Sequence, residues 1–84
     1  MAKLCKKGEI VHLTEGEYSD YGSLGIFRAL YDVNFTELVK QFREENSISA
    51  SLNTWLFPNY EFIAWLVSHK YLSPMKYTEI WELG

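Results

Sequence analysis

Residues 22–42, Gly-Ser-Leu-Gly-Ile-Phe-Arg-Ala-Leu-Tyr-Asp-Val-Asn-Phe-Thr-Glu-Leu-Val-Lys-Gln-Phe, change hydrophobic period midway, and that change decides the fold. Residues 22–31 alternate as a strand does. Leu24, Ile26 and Leu30 share one face, and Phe27 with Ala29 the other. A strand apolar on both faces is normally central in its sheet. Gly25 inside it marks a bulge or a close approach by another element. From Asn34 the period becomes helical. Asn34-Phe35-Thr36-Glu37 fits a capping box, with Val33 and Leu38 placed as a hydrophobic staple. Phe35, Leu38, Val39 and Phe42 fall at i, i+3, i+4 and i+7, the stripe of an amphipathic helix. The spacing predicts a helix over about 35–46.

Working outward, residues 9–15 alternate as a first strand. Val11, Leu13 and Glu15 point one way, and Ile10, His12 and Thr14 the other. Gly16-Glu17-Tyr18-Ser19-Asp20-Tyr21-Gly22 between the two strands holds turn formers and reads as a hairpin loop. Residues 47–54 are small and polar, too short a stretch to separate a pair of domains. Trp55-Leu56-Phe57 is a dense apolar cluster expected to close the core. Pro58 opens a second helix over about 58–70, proline being tolerated in a first turn. Its stripe is Phe62, Ile63, Leu66 and Val67, widened by Tyr60 and Trp65, and Ser73-Pro74 is expected to stop it. Residues 76–83 alternate again, with Tyr77, Glu79, Trp81 and Leu83 on one face, and predict a closing strand. The order β-β-α-α-β implies one α+β domain over 1–84. Its architecture is a three-stranded antiparallel sheet with two helices packed on one face. The closing strand is expected beside the first. The sheet's other face, with Phe27, Tyr77 and Trp81 as candidates, is left to solvent or to a partner.

Composition narrows the function classes. With 84 residues there is room for one core, and 14 aromatics make it a dense one. That is more ring area than a small core holds, so some rings should be exposed and available to an interface. The net charge of −3 argues against nucleic-acid binding, which needs clustered Lys and Arg. Lys3, Lys6 and Lys7 make residues 1–8 a basic, flexible N-terminus in expectation. The rest of the chain carries five bases against eleven acids, a balance of −6. The lone Cys5 permits no internal disulfide and fits a reducing cytoplasm. Lys6 beside it could lower its pKa. No apolar run reaches the roughly 20 residues of a membrane span.

No catalytic, metal or cofactor site is expected. His12, His69 and Cys5 lack the paired spacings of a zinc site. Ser19, Asp20 and His12 mimic a triad without an oxyanion loop or a nucleophile elbow. The acidic and tyrosine-rich hairpin is the better candidate. Glu17 and Asp20 would meet Lys or Arg of a partner, and Tyr18 and Tyr21 would supply rigid contact area. Tyr77 and Trp81 come second.

Glu15-Gly16-Glu17-Tyr18-Ser19-Asp20-Tyr21 followed by Gly25-Ile26-Phe27 resembles the opening hairpin of small phage and prophage accessory proteins. Residues 77–83, Tyr-Thr-Glu-Ile-Trp-Glu-Leu, are similar to their closing acidic and aromatic strand. The likeness covers about half the chain and leaves 47–75 unmatched. It implies a phage-encoded, non-catalytic binding protein of the anti-CRISPR-like class. Such a protein would act in the host cytoplasm by occupying a surface of a defence complex. The alternatives are a homodimeric structural or regulatory protein, built by pairing edge strands or open sheet faces, and a small nucleic-acid-binding protein.

Overall fold

The structure, a computed structural model, describes residues 3–16, 22–49 and 57–80. Its elements run β1 (Leu4–Cys5), β2 (Ile10–Glu15), β3 (Gly22–Ala29), β4 (Val33–Asn34), α1 (Phe35–Glu45), α2 (Asn59–Ser68) and β5 (Leu72–Pro74). Two helices and two antiparallel sheets make a small α+β domain. One sheet has the order β2-β3-β5, with β3 central as its two apolar faces require, and the other pairs β1 with β4.

The third strand is not the expected one. It is Leu72–Pro74, and it lies beside β3 rather than beside the first strand; of the expected strand 76–83, residues 76–80 form no strand and 81–83 lie outside the described residues. The reason is where α2 stops. The helix ends at Ser68, well short of Pro74, and Lys70 takes a left-handed φ of 66°. The Lys70 N–H donates to Val67 O (3.0 Å) and the Tyr71 N–H to Leu66 O (3.0 Å), which satisfies the last carbonyls. Only this tight turn separates α2 from β5, so the chain docks on the nearest edge, β3, and buries Leu72. Pro74 is tolerated there. It opposes Phe27, while the next residue's N–H, of Met75, donates to Ile26 O (2.9 Å). The ring nitrogen therefore faces away from the ladder, where no donor is needed.

The sheet's buried face is also the reverse of the expectation. Phe27 and Ala29 are core residues, not members of an open face. Val11 and Leu13 of β2 pack with them, while Ile10, His12 and Thr14 stay exposed. Both helices supply the same core: Phe35, Leu38 and Phe42 from α1, and Phe62 and Leu66 from α2. Phe42 sits at its centre, with ring centroids 5.9 Å from Phe57, 5.2 Å from Phe62 and 5.6 Å from Trp65. Phe57 thus closes the core as anticipated, and the Arg43 guanidinium lies over its ring at 5.1 Å. Trp55 and Leu56 lie outside the described residues. Tyr60, expected to widen the α2 stripe, is 66% exposed. It stands two residues before Phe62, about 200° around a helix, and so on the opposite side.

The helix α1 starts where its cap places it. Asn34 has extended backbone, and its Oδ1 accepts from the N–H groups of Thr36 (3.1 Å) and Glu37 (3.3 Å). Replacing Asn34 with alanine orphans both donors. It is expected to cost about 1 kcal/mol, seen as a lower urea midpoint at unchanged m-value.

From Lys3 onward the basic N-terminus is hydrogen-bonded to the rest of the fold. Leu4 and Cys5 pair with Asn34 and Val33. Lys3 O accepts from the Phe35 N–H (2.8 Å), and the Lys7 N–H donates to Asp32 Oδ1 (2.8 Å). Cys5 is buried. Desolvation, reinforced by the Glu9 carboxylate, pushes its thiol pKa up, against the lowering expected from Lys6.

Candidate binding surface

Strand direction brings distant segments of the chain to one end of the sheet. Glu15 ends β2 and Gly22 begins β3, so the hairpin connection lies at this end. Antiparallel to β3, β5 runs back toward it, from Leu72 opposite Ala29 to Met75 beside Ile26. Two residues later, the Tyr77 hydroxyl stands 3.9 Å from where a Gly25 Cβ would be. Gly25 is roughly 10 Å along the strand from Gly22. The start of α2 is here as well, because Asn59 Nδ2 donates to Glu15 Oε2 (3.1 Å).

The side chains at this end are aromatic and acidic. Tyr60 is 66% exposed and Tyr77 42%, and Ile80 beyond them is 68% exposed. The Tyr77 hydroxyl donates to Glu79 Oε1 (3.1 Å), which fixes the ring's outer edge. Glu15, Glu61 and Glu79 provide negative charge against Lys76. Chain connectivity puts Glu17 and Asp20 between Glu15 and Gly22. The opposite end holds Lys6, Lys7 and Lys70, since the Gly8 N–H donates to Ala29 O (2.8 Å) and the Leu30 N–H to Tyr71 O (2.9 Å). Glu9 and Asp32 stand among these lysines, accepting from the Lys6 and Lys7 N–H groups, and offset part of their charge.

Of the anticipated contact residues, Tyr77 is described and exposed, though it belongs to no strand. Glu17, Tyr18, Asp20, Tyr21 and Trp81 lie outside the described residues, as does Ser19 of the triad-like trio. The third member, His12, has its Nε2 hydrogen-bonded with Ser23 Oγ (2.8 Å) on the open face of the sheet. Among the described residues no group of three or more His, Cys, Asp or Glu is placed to hold a metal ion. Among them, too, no helix is long and apolar enough to cross a membrane. Sequence reasoning misses Asn59 and Tyr60 as site residues. The Asn59–Glu15 contact joins positions 44 apart and has no local signal, whereas the helical position of Tyr60 relative to Phe62 is there to be read.

Compared with protein-family models, curated proteins and solved structures, the chain matches none of them. The functional reading rests on the surface itself and on the hairpin motif.

Proposed function

We propose that this protein is a non-catalytic binding protein that covers a basic protein surface with the hairpin end of its sheet. The observation that carries the reading is the convergence of exposed Tyr60 and Tyr77 on the acidic end, around Glu15 and Glu79. Exposed tyrosines supply large contact area at small entropic cost. Carboxylates around them steer and orient a Lys- or Arg-rich partner. The E-G-x-Y-S-D-Y hairpin at the same end supports the more specific form: a phage-encoded, anti-CRISPR-like inhibitor acting in the host cytoplasm. It would block a bacterial defence complex sterically, by occupancy alone.

Affinity capture from bacterial lysate, followed by titration against the purified partner, tests this. The double variant Tyr60→Ala/Tyr77→Ala is expected to bind at least ~30-fold more weakly, the size of an interface hot spot, with an unchanged circular dichroism spectrum. Tyr18→Ala/Tyr21→Ala in the hairpin is expected to do the same. Wild-type affinity in both double variants would remove the hairpin end as the contact surface.

A further inference from the structure

The two edges of the three-stranded sheet are unequal. On one side β5 is three residues long, contains Pro74 and is followed by Lys76, which are the usual protections of an exposed edge. On the other, β2 has six residues, Ile10-Val11-His12-Leu13-Thr14-Glu15, with no proline or lysine, and no described strand pairs with its outer side.

The ladder fixes which backbone groups face outward. The Ala29 N–H donates to Glu9 O (2.9 Å), so alternate residues Val11 and Leu13 bond to β3. Ile10, His12 and Thr14 then direct their N–H and C=O groups away from β3. Ile26 provides an independent check. It opposes His12, and its carbonyl accepts from Met75, turned away from β2.

We propose that β2 pairs antiparallel with β2 of a second copy, about a two-fold axis through His12. The sheet is then continuous in the order β5-β3-β2-β2-β3-β5. This inference goes beyond the binding reading and does not depend on the partner's identity.

Three features select a second copy as occupant. Antiparallel pairing must oppose residues of the same face. Centring on His12 sets Ile10 opposite Thr14 and His12 opposite its own equivalent, so all the outward groups of both strands are used. Centring on Val11 or Leu13 leaves an outward residue of each strand without its counterpart within β2. Second, the His12 register puts Val11 against Leu13 on the helix-covered face, which prolongs the apolar layer, and the β-branched pair Ile10–Thr14 outside. Third, the two-fold brings Glu15 of each copy opposite Glu9 of the other, within two residues of Lys7. Each carboxylate already accepts a hydrogen bond in its own copy, Glu9 from the Lys6 N–H (2.7 Å) and Glu15 from Asn59.

Sedimentation velocity over a wide concentration range, together with cysteine cross-linking, tests the proposal. Wild type is expected to show a monomer–dimer equilibrium. Under oxidation His12→Cys should cross-link to itself, the Cα separation of about 5.5 Å in a hydrogen-bonded pair lying within disulfide range. Ile10→Cys should cross-link with a Thr14→Cys copy but not with itself. Wild type, whose Cys5 is buried, is the control for both. His12→Lys sets two ammonium groups face to face at an exposed position. It should weaken the dimer at least tenfold with the monomer's circular dichroism unchanged. A wild type that stays monomeric at every concentration overturns the proposal. So does a dimer indifferent to His12→Lys, or one in which Ile10→Cys links to itself.

Discussion

Phe42→Ala is expected to lower the unfolding free energy by about 3–5 kcal/mol. Only 3% of the side chain is exposed. Its ring is walled by Phe57, Phe62 and Trp65, in tilted and edge-on geometries that add to the burial of area. Those neighbours come from α2 and the segment leading into it, so the cavity would open between the two helices. Arg43 over the Phe57 ring and Asn46 Nδ2 donating to Phe42 O (2.9 Å) fix that side of α1 and limit collapse. For 84 residues the total stability is on the order of 4–13 kcal/mol, so the variant stands near the threshold of folding. Guanidinium unfolding followed by tryptophan fluorescence reads it directly, since Trp65 borders the site. Phe42→Leu keeps most of the volume and should lose less than half as much. A loss below about 1 kcal/mol in Phe42→Ala would mean that the helices are not held together by this cluster.

The helix α1 and the hairpin strands are legible in the sequence because their information is local. Asn34, Glu37 and the 35–38–39–42 stripe lie within three turns, and α1 forms at Phe35–Glu45 with Asn34 as its cap. Strand alternation likewise shows which residues of β2 and β3 share a face. It does not show which face is buried, because Leu24-Ile26-Leu30 and Gly25-Phe27-Ala29 are both apolar. The choice falls to where the helices lie, and bulky Phe27 goes under them. The closing strand is misplaced in the sequence reading because β propensity in 76–83 outweighs a short segment containing proline. Leu72–Pro74 is a strand by position, set by the turn at Lys70 and the burial of Leu72. The candidate surface is half legible. The hairpin's acids and tyrosines are adjacent in sequence, but only the return path of β5 brings Tyr77 toward Gly25, and only the start of α2, bonded to Glu15, brings Tyr60 to that end of the sheet.

Gly25→Val is expected to be the most damaging change in the sheet, because it offends the backbone and the packing together. Gly25 has φ +130°, a conformation that side-chain-bearing residues rarely adopt. It sits directly after a bulge: Leu13 opposes Gly25 and Thr14 opposes Ser23, which leaves Leu24 as the extra residue. Forcing a β-branched residue into that backbone costs roughly 1–3 kcal/mol in strain alone. A Cβ there would also stand 3.0 Å from Cε2 and Cζ of Phe27, a distance at which the ring must move. Phe27 is a core residue, so its displacement adds an overpacking cost of about 1–3 kcal/mol. Gly25→Ala separates the two terms. It keeps the strain and the first contact but omits the branch, and should lie between wild type and Gly25→Val in urea unfolding. The same position links stability to binding. Where the Cβ would stand, the Tyr77 hydroxyl is 3.9 Å away, an ordinary contact distance, so alanine fits beside it, whereas the added methyl groups of valine reach toward the segment that carries Tyr77 to the hairpin end. Gly25→Val is therefore expected to weaken partner binding even under conditions where it is fully folded, and Gly25→Ala to leave it near wild type. Gly25→Ala within about 0.5 kcal/mol of wild type would show that the strand relaxes into ordinary extended backbone, with Gly25 acting only as a spacer. A stability loss with binding intact in Gly25→Val would separate the bulge from the Tyr77 surface.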